Sequence, residues 1–274
     1  MTVHTALVEG VKLLEDERIA VPRLTAEVLL CYALHRDRTY LYSHPEHELS
    51  EIEWLHFGRY LYQRLGGTPT QYITKTQEFY GRSFHVTPDV LIPRPETEHV
   101  IEAALAIGGK RLLDVGCGSG AIAITLQLET GAEVIGTDVS LAALRIAAEN
   151  ATHLGARVVL INCDLDSAVA EHSIDVLVSN PPYVPSAELA GLSREVRDHE
   201  PHIALTSGPT GFEIYERLIS GARRVLVPGG HLVLELGYNS SDRALELLDG
   251  GFKNIRLAAD LAGIPRVVSC QLLP

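Results

Sequence analysis

The apolar positions in the first part of the chain recur with the period of α-helices. Leu7, Val11 and Leu14 stand at i, i+4 and i+7, and a second apolar run starts at Thr25, just after Pro22. This spacing places the apolar side chains on one face of a helix, and proline commonly marks a helix boundary. The pattern predicts two amphipathic helices.

A third helix has clear signals at both ends. Ser50 and Glu53 have the spacing of a capping box. Gly66, Gly67 and Pro69 mark its end. Between these signals lies an apolar stripe, which consists of Trp54, Phe57, Leu61 and Leu65. We therefore assign residues 1–74 to a small helical bundle.

The composition changes after this bundle. Residues 78–86 predict a short hairpin, and Pro88, Pro93 and Pro95 stiffen the chain that follows. We assign residues 75–98 to a hairpin linker and residues 99–274 to a second domain.

In the second domain, apolar strand-like runs alternate with helical patterns. Such alternation is typical of an α/β domain with a mostly parallel sheet and helices on both faces. The predicted strands are 111–115, 133–138, 157–161, 174–179, 231–236, 253–258 and 266–272, and the predicted helices include 121–128, 141–153 and 212–225.

Composition and charge narrow the class of protein. The 274 residues are 46% hydrophobic and carry a formal net charge of −12. The hydrophobic fraction is typical of a globular protein. The negative net charge lacks the broad positive field by which most duplex-binding proteins hold phosphates, so we expect no direct nucleic-acid binding. The chain starts without a signal-like segment and contains no apolar run of about 18 residues. We therefore expect a cytoplasmic protein with no membrane partner.

The cysteines and histidines lack the spacing of a metal site. The histidine pairs His44/His47 and His199/His202 each enclose a proline and have no third ligand nearby. No Cys-x-x-Cys pair occurs among the four cysteines, which are Cys31, Cys117, Cys163 and Cys270. We predict reduced, buried thiols and no metal.

A glycine cluster follows the predicted strand 111–115 and consists of Gly116, Cys117, Gly118, Ser119 and Gly120. Glycines there let a ligand approach the backbone, and the start of the next helix offers unpaired N–H groups. Asp138 ends the following strand, where a carboxylate accepts hydrogen bonds from two ribose hydroxyls. These features predict a ligand such as NAD or S-adenosylmethionine, which share that ribose; the alternative for Asp138 is a helix cap.

The tetrapeptide Asn180-Pro181-Pro182-Tyr183 follows the predicted strand 174–179, at the end of the sheet where open α/β folds bind ligands. The prolines donate no backbone hydrogen bond and restrict the residues before them. The Asn180 carboxamide oxygen, the free carbonyls and the Tyr183 ring therefore suit a planar NH2 group. The alternative is an ordinary turn that ends the strand.

The glycine loop together with Asn-Pro-Pro-Tyr resembles the S-adenosylmethionine-dependent methyltransferases that act on planar nitrogens. Four further segments resemble the peptide chain release factor glutamine N5-methyltransferases, so that the resemblance spans nearly the whole chain. They are Glu-Phe-Tyr-Gly at 78–81, Leu-Ile-Pro-Arg-Pro-Glu-Thr-Glu at 91–98, His-Glu-Pro at 199–201 with Ala-Leu at 204–205, and Asp-Leu-Ala-Gly-Ile-Pro-Arg at 260–266.

This resemblance implies a Rossmann-like, seven-stranded methyltransferase domain and an N-terminal domain that recognises the substrate. It implies S-adenosylmethionine as methyl donor and S-adenosylhomocysteine as product. The acceptor would be the glutamine in the Gly-Gly-Gln loop of release factors, so the reaction would modulate translation termination.

By matching position, the resemblance also implies the site residues. The donor would be held by Gly116, Cys117, Gly118, Ser119, Gly120, Asp138, Leu165 and Asn180. The glutamine would be held by Asn180, Pro181, Pro182 and Tyr183, of which Asn180, Pro181 and Tyr183 would be catalytic. Leu165 stands where the family often has an aromatic residue, and Asn239 where it commonly has Gln. Arg94 and Glu96 either shape the donor entrance or pair with each other.

Two other functions are compatible with the motifs. An adenine-N6 methyltransferase would use the same tetrapeptide, although the acidic charge counts against it. A non-catalytic dinucleotide sensor would use the glycine loop alone. For the main interpretation we expect a monomer.

Overall fold

The computed structural model describes residues 1–274, which form two compact units. One unit comprises Met1–Thr76 with Ser193–His199, and the other comprises Gln77–Leu192 with Glu200–Pro274. The helices of the first unit are α1 (Val3–Asp16), α2 (Pro22–Leu34), α3 (Arg38–Ser43), α4 (Glu51–Leu65), α5 (Thr70–Thr74) and, from the later segment, α9 (Arg194–His199).

The three helices predicted for the first unit are α1, α2 and α4. The capping box of α4 is present: the Glu53 N–H donates to Ser50 Oγ at 3.3 Å, and the Ser50 N–H donates to Glu53 Oε2 at 2.7 Å. One boundary is corrected, because Pro22 is the first residue of α2 and does not precede it. Proline is tolerated there because the first helical N–H has no intrahelical partner.

The core of this unit is formed by the inner faces of these helices, with Leu14, Leu29, Leu30 and Phe57 fully buried. Helices α3 and α5 have six and five residues, too few for an apolar period to reveal them. His44, at the end of α3, stacks on Tyr40 with ring centroids 4.3 Å apart.

The second unit contains a seven-stranded sheet with five long helices. The sheet strands are β3 (Arg111–Val115), β4 (Glu133–Asp138), β5 (Val158–Asn162), β6 (Ile174–Ser179), β9 (Leu226–Glu235), β10 (Phe252–Ala259) and β11 (Pro265–Leu272). The helices are α6 (Glu98–Ile107), α7 (Ala121–Thr130), α8 (Leu141–Leu154), α10 (Glu213–Val225) and α11 (Ser241–Leu248). Two small strand pairs are β1 (Thr76–Phe79) with β2 (Arg82–His85), and β7 (Val184–Pro185) with β8 (Thr206–Gly208).

The strand order is β10-β11-β9-β6-β3-β4-β5. Strands β9, β6, β3, β4 and β5 are mutually parallel. At one edge β11 pairs antiparallel with β9, and β10 pairs antiparallel with β11. The predicted α/β class with a mostly parallel sheet is confirmed. All seven predicted strands exist; the largest boundary difference is that β9 begins at Leu226, because the Gly229-Gly230 segment joins the strand.

Alternate strand residues enter different cores, so the central strands are buried on both faces. Leu112 and Val176 pack with α6 and α7, whereas Leu113 and Leu177 pack with α10 and α11. The helices therefore cover both faces of the sheet, as predicted. Helix α6 was missing from the sequence prediction; it begins directly after the proline-rich segment.

Of the four free cysteines, Cys117 and Cys270 are buried and Cys31 and Cys163 are partly exposed. None of the helices has both the length and the apolar character that a bilayer crossing requires.

Candidate active site

A cavity of about 320 Å³ lies at the carboxyl ends of β3, β4 and β6, within the ~300–1,000 Å³ range of ligand clefts. Its walls come from the loop after β2, the segments that follow β3, β4, β5 and β6, the segment before α10 and the first turns of α10. The lining residues are Asp89, Val90, Leu91, Gly116, Gly118, Asp138, Val139, Ser140, Ala143, Asp164, Leu165, Asn180, Pro182, Pro201, Ile203, Ala204, Ile214 and Arg217.

The glycine loop depends on backbone conformations that disfavour side chains. Gly116, Gly118 and Gly120 have φ values of 74°, 54° and 82°. At Gly120 a Cβ atom would also lie 2.7 Å from Ile124 Cδ1. The three glycines thus let the chain turn from β3 into α7 and leave the backbone of Gly116 and Gly118 open to the cavity.

Asp138 connects the loop to the next strand. Its Oδ2 accepts from the Gly118 N–H at 2.9 Å, and its Oδ1 accepts from the Ser140 N–H at 2.8 Å. Burial raises the pKa of this carboxyl. The cap of α8 is Ser140, whose Oγ accepts from the Ala143 N–H at 3.2 Å, so the helix-cap alternative for Asp138 is wrong. Each Asp138 oxygen has further lone pairs with which to bind a ligand hydroxyl.

A second buried carboxyl lies beneath the loop. Asp114 accepts from the Ala123 N–H with Oδ2, while its buried Oδ1 has no hydrogen-bond partner. Burial raises the pKa of Asp114 to about 7. Burial has this effect on the pKa because the ionised carboxylate loses the hydration that stabilises its charge.

The predicted donor residues occupy two environments. Gly116, Gly118, Asp138, Leu165 and Asn180 line the cavity. The remaining three, Cys117, Ser119 and Gly120, support the loop from behind: Cys117 packs with Leu144 and Ala147, and the Ser119 carbonyl accepts from Asn150 Nδ2 at 2.9 Å.

The Asn180 segment follows β6 directly and contributes Asn180 and Pro182 to the same cavity. Ser179, just before it, donates through Oγ to the Val115 carbonyl at 2.6 Å, which ties the ends of β6 and β3 together. Asn180 Nδ2 donates to Thr97 Oγ1 at 3.1 Å. This bond engages the amide NH2 group and leaves the carboxamide oxygen as the acceptor.

Tyr183 is held by close contact with two glycines. A Cβ atom at Gly237 would lie 2.8 Å from Tyr183 Cδ2, and one at Gly211 would lie 2.5 Å from the Tyr183 carbonyl oxygen. Burial raises the pKa of Tyr183 to about 12, so its hydroxyl stays protonated near neutral pH. Of the predicted substrate residues, Pro181 is buried, and neither Pro181 nor Tyr183 lines the cavity.

Arg94 forms an ion pair with a residue far away in the sequence. Its Nη2 donates to Glu200 Oε1 at 2.6 Å, so the alternative in which Arg94 pairs with Glu96 is wrong. This ion pair joins the proline-rich segment to the His-Glu-Pro segment that leads into the cavity wall at Pro201 and Ile203.

Sequence reasoning missed the cavity residues that come from distant segments, among them Val90, Ile203, Ile214 and Arg217. They have no distinctive spacing, although Ile203 and Val90 flank segments that carried the family resemblance. Arg217 donates to Asp164 Oδ2 at 2.6 Å, and both residues line the cavity.

Comparison with known proteins gives matches to both units. The model of a family described as the PrmC N-terminal domain matches residues 5–74, and that of the methyltransferase small domain matches residues 97–193. A methyltransferase from Pyrococcus furiosus of known crystal structure superposes with a TM-score of 0.56 at 19% identity, covering 74% of this chain and 94% of that chain; at this identity the likeness shows the fold alone.

Relatives that match over the full length are more informative. A release factor glutamine methyltransferase from Koribacter versatilis is 44% identical over 98% of this chain and 98% of its own length. One from Moorella thermoacetica is 42% identical over 97% of both chains. Such identity across both units shows that this chain belongs to the release factor glutamine methyltransferase family.

Proposed function

We propose that this protein transfers a methyl group from S-adenosylmethionine to the side-chain nitrogen, N5, of the glutamine in the Gly-Gly-Gln loop of peptide chain release factors. The observation that carries the proposal is that Asn180, Gly116, Gly118 and Asp138 line one cavity. A carboxamide acceptor and a nucleoside-binding loop therefore face the same space.

The residues present fit the donor. The open backbone of the glycine loop and the free lone pairs of Asp138 suit a ribose, and the side chains of Leu165 and Ile214 give an apolar wall for a purine ring. Leu165 buries less area than an aromatic residue there would, so adenine stacking is weaker. When bound, S-adenosylmethionine supplies an electrophilic methyl group on a sulfonium.

The protein must localise the lone pair of the amide nitrogen, because resonance with the carbonyl delocalises it. That resonance underlies the ~18–20 kcal/mol rotation barrier of a peptide C–N bond. The Asn180 carboxamide oxygen and the Pro181 carbonyl oxygen accept hydrogen bonds from the two N–H groups of the substrate glutamine, and the Tyr183 ring packs against the plane of that amide. These acceptors hold the nitrogen in line with the methyl group and strengthen as positive charge develops on it.

The bond changes balance without a covalent enzyme intermediate. A bond forms between the glutamine nitrogen and the methyl carbon, the carbon–sulfur bond breaks, and its electron pair stays on sulfur. One amide proton then leaves to solvent. Alignment of the two substrates supplies roughly 7–11 kcal/mol of the barrier reduction. Because the proton leaves after the nitrogen–carbon bond has formed, no general base is needed before attack.

We propose further that residues 1–74 recognise the protein substrate, residues 75–98 act as a linker and residues 99–274 perform catalysis. Helix α4 supports this role because Ile52, Leu55 and Tyr62 form an exposed apolar face, with Leu55 69% exposed. Such a face is typical of a protein-binding surface. In the Leu55→Glu variant we expect a higher KM for intact release factor and an unchanged KM for a short Gly-Gly-Gln peptide.

Mass spectrometry of the release-factor loop peptide tests the main proposal. Wild-type protein with S-adenosylmethionine should add one methyl to the glutamine, and a release factor with that glutamine changed to Ala should gain none. The Asn180→Ala variant should lose about 10²–10³-fold in kcat at saturating donor and acceptor. Near-wild-type turnover of Asn180→Ala at saturating substrates would refute the mechanism.

A parallel reaction with RNA and DNA addresses the adenine-N6 alternative. The net charge of −12 supports the absence of direct nucleic-acid binding, so we expect no methyl transfer to either. The monomeric state and the cytoplasmic location stay predictions.

A further inference from the structure

Two buried residues that the mechanism above does not use form a hydrogen-bonded chain with Asn180. Thr97 Oγ1 donates to Glu235 Oε2 at 2.6 Å, and Asn180 Nδ2 donates to Thr97 Oγ1 at 3.1 Å. Thr97 and Glu235 are 3% and 2% exposed. Glu235 ends β9, the strand that pairs with β6 just before Asn180, whereas Thr97 precedes α6.

The direction of this chain follows from the number of hydrogens. A threonine hydroxyl has one hydrogen, and the carboxylate of Glu235 is an acceptor that takes it. Thr97 Oγ1 then has only lone pairs to offer to Asn180. It therefore accepts a hydrogen bond from Asn180 Nδ2 and repels the Asn180 carboxamide oxygen. The Asn180 oxygen is thereby kept available for a substrate N–H.

We propose that Glu235 and Thr97 are positioning residues that orient the Asn180 carboxamide so that its oxygen, and not its NH2 group, meets the glutamine amide. This inference rests on the proposed function and adds two residues to it. Without the pair, a flipped carboxamide would present N–H donors to the substrate NH2 group, which cannot accept them.

The charge of Glu235 sets the direction of the chain. A protonated Glu235 would donate to Thr97 Oγ1, and the Thr97 hydrogen would then point toward Asn180. The Asn180 carboxamide would rotate so that its oxygen accepts this hydrogen, and the oxygen would no longer be available to the substrate. The pKa of Glu235 is raised to about 7, and the largest cause is burial. The negative charge of Glu96 also raises this pKa, whereas the hydrogen bond from Thr97 and the positive charges of Arg266 and Arg94 lower it.

Two tyrosines complete the surroundings of Glu235. Tyr183 remains neutral because burial raises its pKa to about 12, and the Tyr215 hydroxyl donates to the Glu235 backbone carbonyl at 2.7 Å. Neither adds a charge near neutral pH, so we expect kcat to rise with pH as the Glu235 carboxyl ionises.

Variants of Thr97 test the positioning role. Thr97→Val keeps the shape and removes the hydroxyl, so we expect kcat for release factor to fall about 10- to 100-fold, with S-adenosylhomocysteine affinity unchanged. Thr97→Ser should restore most of the activity. The matched control is Thr125→Val, because Thr125 is fully buried and its hydroxyl has no hydrogen-bond partner.

The pH profile of Glu235→Gln provides a second, independent readout. The substituted amide cannot ionise, but its carbonyl oxygen still accepts from Thr97, so the variant should remain active and lose the rise of kcat with pH. A role of Glu235 in stability alone would lower the amount of folded enzyme and leave the shape of the profile unchanged.

The outcomes separate this inference from the proposed function. If the wild type is active and the kcat of Thr97→Val lies within about 3-fold of that of Thr125→Val, the inference alone is overturned. The same holds if the kcat of Thr97→Ser is as low as that of Thr97→Val. An unaltered pH profile in Glu235→Gln also overturns it. A wild type that leaves the release-factor glutamine unmethylated overturns the proposed function and the inference with it. Calorimetric binding of S-adenosylhomocysteine verifies that each variant is folded.

Discussion

The close approach of Gly237 to the Tyr183 ring makes a quantitative prediction. In Gly237→Ala, the new Cβ would lie 2.8 Å from Tyr183 Cδ2, 3.0 Å from Ser240 Oγ and 3.1 Å from Tyr183 Cγ. Restoring an ordinary carbon–carbon contact of ~3.5 Å requires the ring to move about 0.7 Å. Overpacking of this kind costs about 1–3 kcal/mol of folding free energy.

The displacement should affect catalysis more than donor binding. Since a misplacement of ~1 Å can cost about 10²-fold in rate, we expect kcat for release factor to fall about 10-fold. Gly237 does not line the cavity, so S-adenosylhomocysteine affinity should be unchanged.

The assay is steady-state methylation of release factor, with thermal unfolding and calorimetric donor-product binding on the same samples. Gly191→Ala is the control, because a Cβ atom at Gly191 meets nothing within 4 Å. If Gly237→Ala keeps the wild-type kcat and the wild-type melting temperature, the ring is not held by this contact and the role given to Tyr183 is wrong.

Three further substitutions test other parts of the structure. Gly58→Ala should raise stability by about 0.5–1 kcal/mol in denaturant unfolding, because the position is inside α4 and its Cβ would meet nothing; a loss of stability would contradict this. Asp138→Ala should weaken S-adenosylhomocysteine binding about 10- to 100-fold by calorimetry, since it removes a charged acceptor; unchanged affinity would exclude Asp138 from the donor site. For Asp114, whose folded pKa of about 7 exceeds its unfolded value, the native state binds the extra proton, so the contribution of Asp114 to wild-type stability should fall from pH 4 to pH 7 by up to about 1.4 kcal/mol per pH unit. Denaturant titrations should show a shallower fall in Asp114→Asn, and an identical slope would show that Asp114 does not titrate there.

The sheet could be predicted well because its strands carry local signals. Residues 111–115 and 174–179 are short apolar runs bounded by turn residues, and both became strands with those limits. The capping box at Ser50 is also local, since its two hydrogen bonds join residues three apart. In such segments the residues that determine the conformation are the ones that adopt it.

The site was predicted in part for the same reason. Gly116, Gly118, Asp138 and Asn180 stand at strand ends, and the carboxyl ends of parallel strands meet at one edge of the sheet. The apolar walls of the cavity, Val90, Ile203 and Ile214, could not be found in this way. Val90 and Ile203 come from connections and Ile214 comes from the start of α10, and the placement of these segments depends on packing between elements far apart in sequence.

The amino-acid sequence by itself determined where the sheet strands lie along the chain, the glycines of the loop after β3 and the residues that end each central strand. These features depend on propensities and contacts within a few neighbouring residues. Only the tertiary structure decided which distant groups meet. Thr97 reaches Asn180 and Glu235 across 83 and 138 residues, and Gly211 and Gly237 approach Tyr183 closely. Such contacts arise from the packing of helices and loops against the completed sheet, and no local pattern encodes them.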